Sequence, residues 1–415
     1  MLNSHKASYM KTYQTDQIRN IALLGNTGAG KTILAESMMF AGKVIERKGT
    51  IEAKSTVSDY TEIEQQNQRS IFSTVLYTEF NGHKINIIDT PGSDDFVGGV
   101  ISAMRPVDMG VMVVNSQYGV EVGTEIFGRH AERLHKPIIF AVNQLDHDKA
   151  NFEQTIDSLK VSFGPKVTPV QYPVNAGSDF NAFIDLISMK MYRYKGESGE
   201  CEELDIPAEE MDKATEMNNA LIETAAENDE SLMEKFFDQG TLSEAEMHQG
   251  IRIGLLSRGL FPVFCISSKR NIGINRLLDF IINVGPSPDK MPAEKTVDGK
   301  EVKCAVNDPA SLFVFKTAVE QHIGEINYFK VVSGKITEAM DMVNTTNDGK
   351  ERVSQLFVVA GKTRNKVTEL VAGDIGAKDL HARAALVERE AQYLQLLGEP
   401  VIDHGPVRRD AGGGQ

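Results

Sequence analysis

The chain contains no tryptophan, three cysteines among 415 residues, and only 7% aromatic residues. Cys201, Cys265 and Cys304 lie far apart and share no metal-ligand spacing. The sequence therefore offers neither a disulfide framework nor a zinc site, and the thiols read as buried groups in a reducing, cytoplasmic compartment. No apolar run approaches the roughly 20 residues that a membrane-spanning helix requires, so no membrane partner is expected. The polar leader, residues 1–17, lacks the hydrophobic segment of a secretory signal. Excess positive charge is missing too: 44 Lys and Arg stand against 58 Asp and Glu, for a formal net charge of −14. A generally basic coat for DNA is excluded, and only a local basic face is left open. The scattered histidines, among them His83, His130, His135 and His147, form no ligand pattern.

What is present is a phosphate-loop signature. Ile21-Ala22-Leu23-Leu24 is an apolar run the size of a buried strand. It leads into Gly25-Asn26-Thr27-Gly28-Ala29-Gly30-Lys31-Thr32, which matches G-x-x-x-x-G-K-[ST]. Ile33 to Phe40 then reads as a helix with Ile33, Leu34, Met38 and Met39 on its apolar side. In such a loop the glycines let backbone N–H groups turn inward around phosphate, and the helix N-terminus adds partial positive charge. Lys31 is placed to reach the terminal phosphates and Thr32 to ligate Mg²⁺. Strand, loop and helix in this order predict a nucleoside triphosphate site.

The elements that follow give that site a base preference. Residues 41–73 are polar and long for a connection, a length that points to function or mobility. Residues 74–80 and 84–88 read as a hairpin around Asn81-Gly82. The hairpin delivers Asp89-Thr90-Pro91-Gly92, a D-x-x-G element. Asp89 is placed to hold Mg²⁺ through water and the Gly92 N–H to meet the terminal phosphate. Val107 to Val114 reads as a buried parallel strand, followed by a helix to about Leu134 and a strand from Pro137 to Val142. That strand ends in Asn143-Gln144-Leu145-Asp146, an N-K-x-D element with Gln for Lys. A carboxylate at Asp146 can accept two hydrogen bonds from guanine, a pattern adenine lacks, so an ATP site is disfavoured. Asn143 is expected to tie the loops of the site together. Leu260 to Ile266 is a further strand, ending in the short loop Ser267-Ser268-Lys269.

Between Asp146 and Ser267 the chain is far longer than one helix and one strand require. Beyond a helix at about 151–162, residues 163–258 read as an inserted α+β subdomain. It has an apolar segment from Val167 to Val174 and acidic helical stretches from Ala208 to Gly250. The acidic run from Glu200 to Glu210 reads as a solvated face. The predicted class is thus an α/β P-loop domain, residues 18–290, with a mostly parallel sheet and helices on both faces. Gly285-Pro286-Ser287-Pro288 breaks the pattern and opens a turn-rich linker, residues 285–309. Residues 291–378 carry short strands (312–319, 325–333, 334–336, 351–359 and 367–370) that predict a small β-barrel. Residues 379–397 read as helix and 408–415 as a polar tail.

The ordered set Gly25–Thr32, Asp89–Gly92, Asn143–Asp146 and Ser267–Lys269, with its insertion and barrel, resembles the translational GTPases. Within them it is most similar to the elongation factor G family. Thr56-Val57-Ser58-Asp59-Tyr60, Asp95-Phe96, Val314-Phe315-Lys316-Thr317, Gly324, Phe329-Lys330-Val331 and Ser333-Gly334 carry that likeness, which spans about residues 10–376. The resemblance implies GTP and GDP as ligands with Mg²⁺, and the ribosome as partner at its factor-binding centre. It also implies a monomeric cytoplasmic factor that promotes tRNA–mRNA movement.

Four departures from the family pattern alter the expectation. Ser93 stands where the family has the His that positions the attacking water, and Asp94 replaces an apolar neighbour. Gly28 stands where the family P-loop carries Asp, a residue implicated in holding a monovalent cation. Asn67-Gln68-Arg69-Ser70 replaces R-G-I-T, so Ser70 takes the place of the Mg²⁺-sensing Thr while keeping its hydroxyl. Gln144 loses the Lys charge but keeps a stem able to cover the base. Groups that position a phosphoryl-transfer transition state are worth about a thousandfold, on the order of 4 kcal/mol. GTP binding with weak hydrolysis is therefore expected. The alternative is a GTP-dependent ribosome-binding regulator or protection factor without significant hydrolysis. The family also continues through three further domains, whereas the likeness here stops before the last strand of the second. That predicts a truncated or spliced reading frame, or a fragment, with an unpaired barrel edge.

Overall fold

The computed structural model describes residues 11–296, 299–320, 324–345, 349–379 and 385–388. Its first half is built on a seven-stranded sheet in the order β2-β3-β1-β4-β5-β11-β6. Strand β1 (Ile18–Leu24) is flanked in parallel by β3 (His83–Asp89) and β4 (Met109–Asn115), and β5 (Ile138–Asn143) continues the parallel run. Every residue of β1, β4 and β5 is buried. Parallel strands covered on both faces read as continuous apolar runs for this reason. β2 (Thr74–Phe80) is the antiparallel member, joined to β3 through Asn81 and Gly82 at φ 42° and 77°. Two positive φ values in a row are what a tight two-residue hairpin needs. Helices α1 (Lys31–Ala41), α2 (Glu62–Asn67), α3 (Val97–Met104), α4 (Val122–Arg133) and α5 (Phe152–Phe163) alternate with these strands.

The insertion begins inside this sheet. β6 (Val167–Pro169) pairs in parallel with β11 (Phe261–Cys265), itself beside β5. β7 (Gln171–Pro173), β8 (Ala182–Asp185), β9 (Lys190–Tyr194) and β10 (Cys201–Leu204) form a separate antiparallel sheet. The apolar run Val167–Val174 thus splits between two sheets. The acidic run from Glu200 is partly strand β10, which leaves Cys201 exposed where a buried thiol was expected. Cys265 is buried and Cys304 half-buried. Three helices follow: α6 (Ala208–Ala226), α7 (Glu230–Gln239) and α8 (Glu244–Ser257). Asp229 caps α7 through the Ser231 and Leu232 N–H groups, and Ser243 with Glu246 forms a capping box on α8. α9 (Ile274–Asn283) closes the half.

The linker carries a two-stranded ribbon, β12 (Glu294–Lys295) with β13 (Glu301–Val302). Beyond it lie β14 (Ser311–Glu320), β15 (Gly324–Ser333), β16 (Lys335–Thr337), β17 (Asp341–Asn344), β18 (Gly349–Arg352), β19 (Leu356–Ala360), β20 (Thr363–Val367), β21 (Glu369–Val371), β22 (Ile375–Asp379) and β23 (Ala385–Glu388). All but β16 and β21, which pair with each other, form one sheet in the order β18-β17-β23-β14-β15-β22-β19-β20. It does not close into a barrel among the described residues. The expected strands 351–359 and 367–370 are each broken, at Val353–Gln355 and at Thr368. A helix over 379–397 is not what residues 385–388 adopt: β23 lies between β14 and β17, with Val387 opposite both Ser311 and Val343. β23 thereby pairs one edge of β14, whose free N–H and C=O groups are best met by another strand, while the sheet still ends in β18 and β20. The expected tail 408–415 lies outside the described residues.

Polar contacts bind the two halves. Lys84 of β3 pairs with Asp374 at 2.7 Å, and Asn86 donates to the same carboxylate at 3.0 Å. Lys330 of β15 pairs with Asp108 at 2.6 Å, and Asn20 donates to Asp108 and to the Gly373 carbonyl. Part of the expected leader also belongs here: Thr15 donates to the Ala372 carbonyl at 2.7 Å. The β19–β20 turn reaches β2, where the Gly361 N–H donates to the Val75 carbonyl at 3.1 Å. No helix among the described residues is long and apolar enough to cross a membrane.

Candidate nucleotide-binding site

The loops that follow β1, β3, β5 and β11 meet at one end of the sheet, where open α/β sheets place their ligands. The loop after β1 turns on glycines that no other residue could replace freely. Gly25 sits at φ +135°, and a Cβ there would lie 2.2 Å from the Val113 carbonyl oxygen. Gly30, at φ +94°, would push a Cβ to 2.4 Å from Asn143 Nδ2. Gly28, at φ +83°, faces open space. Lys31 opens α1, and its buried ammonium donates to the Gly25 and Asn26 carbonyls at 2.8 and 3.0 Å. Burial pulls it down to about 8, against the opposing pull of Asp89, Asp59 and Glu121. Ala29 is buried, while Thr27 and Gly28 are exposed at the loop tip.

Gly92 approaches this loop so closely that a Cβ would lie 2.5 Å from Lys31 Nζ and 2.6 Å from the Thr27 nitrogen. Thr90 donates to the Leu23 carbonyl at 2.6 Å, which holds Asp89-Thr90-Pro91-Gly92 against β1. Asp89 Oδ2 accepts from Thr32 Oγ1 at 2.8 Å and from Ser58 Oγ at 2.7 Å. Ser70 Oγ lies 3.1 Å from Thr32 Oγ1. Three carboxylate oxygens here, Asp89 Oδ1 and both of Asp59, are buried without a hydrogen-bond partner among the described residues. Burial, then the Asp89 charge, lifts the Asp59 carboxyl to about 7, opposed by the neighbouring Ser70 hydroxyl and the Lys31 charge. Burial lifts Asp89 as well, opposed by the Ser58 bond and the Lys31 charge. Orphaned buried carboxylate oxygens beside two hydroxyls are the donors a small hard cation takes. No group of three or more His, Cys, Asp or Glu close enough for a metal exists among the described residues. A cation held mainly by hydroxyls, phosphate and water does not require one.

The base side is assembled by Asn143. Its Nδ2 donates to the Ala29 carbonyl at 2.9 Å, and its Oδ1 accepts from the Ser268 N–H and hydroxyl at 2.9 and 3.0 Å. One side chain thus joins the loops after β1, β5 and β11. Gln144, at φ 62°, donates from Nε2 to the Gly28 carbonyl at 2.8 Å, so its stem lies across the phosphate loop. Asp146 is half-buried, two residues beyond Gln144. Ser267 is buried and pairs its backbone with Ile272, whereas the Lys269 side chain is exposed.

Ser93 is half-buried at the start of a short 3₁₀ turn, and its hydroxyl donates to Asp95 at 3.2 Å. Asp94 and Asp95 are exposed.

Four contributors to the site are not assigned to it by the sequence. Ser58 and Asp59 carry only a family likeness there, yet both face Asp89. Glu64 is buried, accepting from the Thr61 N–H and hydroxyl on one oxygen and from the Ile71 and Phe72 N–H groups on the other. It thereby fixes the loop that carries Ser70. Thr61 followed three residues later by Glu64 is a capping-box signature, so this signal was legible. Glu36 is fully buried on α1 and accepts from the Gly49 and Val57 N–H groups, which only the tertiary structure brings to it.

Comparison with known proteins agrees with this geometry. The family model described as Elongation factor Tu GTP binding domain matches residues 16–287, and that for Elongation factor G domain 2 matches residues 309–378. Elongation factor G of Ureaplasma parvum serovar 3 is 33% identical over 396 residues, covering 92% of this chain and 58% of its own length. Elongation factor G of Ureaplasma urealyticum serovar 10 is similar at 33% over 397 residues, with the same coverage. A crystal structure from Thermus thermophilus superposes with a TM-score of 0.81 at 28% identity, covering 91% of this chain and 55% of that one. The chain therefore spans somewhat over half the length of the relatives it matches. With the phosphate loop, the D-x-x-G turn and the base loops converging in family order, the chain belongs to the translational GTPases and is elongation factor G-like.

Proposed function

We propose that the chain binds GTP with Mg²⁺ and engages the ribosome as an elongation factor G-like factor, and that it hydrolyses GTP slowly. The observation that carries the nucleotide reading is the convergence of Lys31, Thr32, Asp89 and Gly92 on one loop, with Asn143 bonded to that phosphate loop at Ala29 and to the base-side loop at Ser268. Backbone N–H groups from Asn26 to Thr32 cradle the phosphates, and Lys31 turns from loop carbonyls to the terminal phosphates. Thr32, Ser70 and Asp59, with Asp89 acting through water, would hold Mg²⁺, which would neutralise charge on the transferred phosphoryl group. Asp146 accepts from guanine, Gln144 covers the base, and Ser267, Ser268 and Lys269 close over it.

Slow hydrolysis rests on Ser93. Its hydroxyl is engaged with Asp95, and the exposed Asp94 and Asp95 add negative charge where an attacking water would need an ordering partner. The same observation favours a second reading, a ribosome-binding regulator that uses GTP as a conformational ligand, since differential binding alone shifts a two-state protein. In both readings the factor is monomeric and cytoplasmic, with the ribosome and not DNA or membrane as partner. Phosphate release by the purified chain, with and without ribosomes, tests the proposal. Ribosome-stimulated turnover matching that of an ordinary elongation factor G would refute slow hydrolysis. Ser93→His is expected to raise residual turnover without changing GDP affinity.

A further inference from the structure

A strap of chain between α1 and the metal-facing residues is bonded at both ends to the site. Lys48 extends its ammonium to the loop after β11, donating to the Ser268 carbonyl at 3.0 Å, the Lys269 carbonyl at 2.9 Å and Asn271 Oδ1 at 2.8 Å. The same ammonium also reaches Ser37 Oγ of α1 at 3.4 Å, and Ser37 adds a bond to the same Ser268 carbonyl at 2.6 Å. The next residue, Gly49, donates its N–H to Glu36 Oε2 at 2.7 Å, and the other oxygen of that carboxylate accepts from the Val57 N–H at 2.6 Å. A Cβ at Gly49 would lie 2.2 Å from the Ser55 carbonyl oxygen, so the strap folds tightly back on itself between the two bonds. One residue beyond Val57, Ser58 donates to Asp89.

A continuous hydrogen-bonded path therefore runs from the base loop through Lys48, Gly49, Glu36 and Val57 to the carboxylates facing the metal position. Its middle is anchored on α1, the helix that also carries Lys31 and Thr32. Glu36 is fully buried and spends both oxygens on strap N–H groups, so the strap cannot shift at one end while keeping its bonds at the other. Buried polar groups are costly to leave unpaired, which makes such a path hold or release as a unit.

We propose that Lys48 is a positioning residue that couples the base loop to the metal-facing end of the strap, so that guanine nucleotide and Mg²⁺ bind cooperatively. The inference rests on the nucleotide reading above and adds a residue that touches neither ligand. Coupling of this kind is reciprocal: an ordered base loop favours the Ser58–Asp89 arrangement, and a bound cation favours the closed base loop.

The test is the Mg²⁺ enhancement factor, the ratio of dissociation constants for a fluorescent N-methylanthraniloyl GDP in EDTA and in millimolar Mg²⁺. Lys48→Met is expected to lower that factor about tenfold, within the usual range for coupling between sites. Lys48→Arg keeps a cationic donor and is expected to recover most of it. Glu36→Gln, which breaks the path at its centre, is expected to lower the factor as well. The double variant should then be no worse than the more affected single one, because both act on one path. Thermal melts of the nucleotide-free proteins guard against simple loss of fold. An unchanged enhancement factor in Lys48→Met, or additive losses in the double variant, overturns the coupling while leaving nucleotide binding intact. Failure of the unaltered chain to bind the probe at all overturns the nucleotide reading and the coupling with it.

Discussion

Both halves of the molecule bury charge without a hydrogen-bonded partner, and the contrast between the two cases separates a site from a structural cost. In the α/β half the orphaned atoms among the described residues include the carboxylate oxygens of Asp59 and Asp89, which lie beside Thr32, Ser58 and Ser70 and under a glycine loop. In the β half they include Lys378 Nζ and Glu351 Oε2, carried by strands β22 and β18 of the antiparallel sheet. Asn327 and Leu356 are the backbone neighbours of Lys378 in that sheet. The first arrangement is the one proposed above to take a cation and a phosphate; the second lies within the sheet of the β half. An unsatisfied buried group is a sign of function only when other donors aim at the same point.

The contrast can be broken at several places. The largest effect is expected from Lys31→Met, which on the proposed reading removes two or more charge-assisted bonds to phosphate. GDP affinity should fall by roughly a thousandfold, about 4 kcal/mol, with the fold retained; calorimetric titration measures it. Next comes Gly25→Ala, which forces a Cβ onto the Val113 carbonyl at a left-handed backbone position. It should destabilise the α/β half by about 3 kcal/mol in denaturant titrations, whereas Gly28→Ala, facing open space, should cost only about 1 kcal/mol. If the two alanines prove equally harmful, backbone strain alone, and not close packing, governs the loop.

Smaller effects of opposite pH dependence are expected at the two buried charges. Asp59 titrates at about 7 in the fold, above the ordinary carboxyl value. Between roughly 4 and 7 the folded chain holds a proton that the unfolded chain has released, so stability without nucleotide falls as pH rises. Asp59→Asn should therefore be the more stable protein at pH 8, by about 1–2 kcal/mol, yet lose Mg²⁺-dependent GDP affinity. Lys378 is held down to about 7 by burial, against the attraction of Glu351. Between about 7 and 10.4 the unfolded lysine keeps a proton that the folded one has lost, so stability rises with pH. Lys378→Met should stabilise by about 1–2 kcal/mol at pH 6, and that advantage should fade by pH 10 with nucleotide affinity unchanged. Urea titrations at three pH values measure both slopes. A loss of nucleotide affinity in Lys378→Met would erase the distinction between the halves.

Legibility followed the same division. The parallel strands were readable because full burial on both faces demands unbroken apolar runs, as in Ile21–Leu24 and Met109–Val114. The hairpin was readable because Asn81-Gly82 meets a turn's φ requirement locally. The β half was less readable, since short strands that break at Val353–Gln355 and Thr368 differ from their flanks by only one or two residues. Residues 385–388 were the sharpest miss: Ala385-Leu386-Val387-Glu388 carries no local preference strong enough to announce a strand. What makes it one is the pairing offered by β14 and β17. Gln144 was legible as a substitution, but its bond to the Gly28 carbonyl depends on two loops meeting.

The sequence by itself determined the order and identity of the phosphate, D-x-x-G and base elements, because each is a contiguous run whose chemistry depends on spacing along the chain. It also marked Ser93, the residue on which the proposed slow hydrolysis rests, since that position is defined by its place after Asp89-Thr90-Pro91-Gly92. Only the tertiary structure decided that Asp59 joins Asp89 with unpaired oxygens, that Glu36 clamps Gly49 and Val57, and that Lys48 reaches Ser268 and Lys269. It alone also set Lys378 apart as a buried amine without a hydrogen-bond partner among the described residues. Those relations join residues from distant parts of the chain, and burial, which sets their electrostatics, belongs to the packed molecule and to no segment of it.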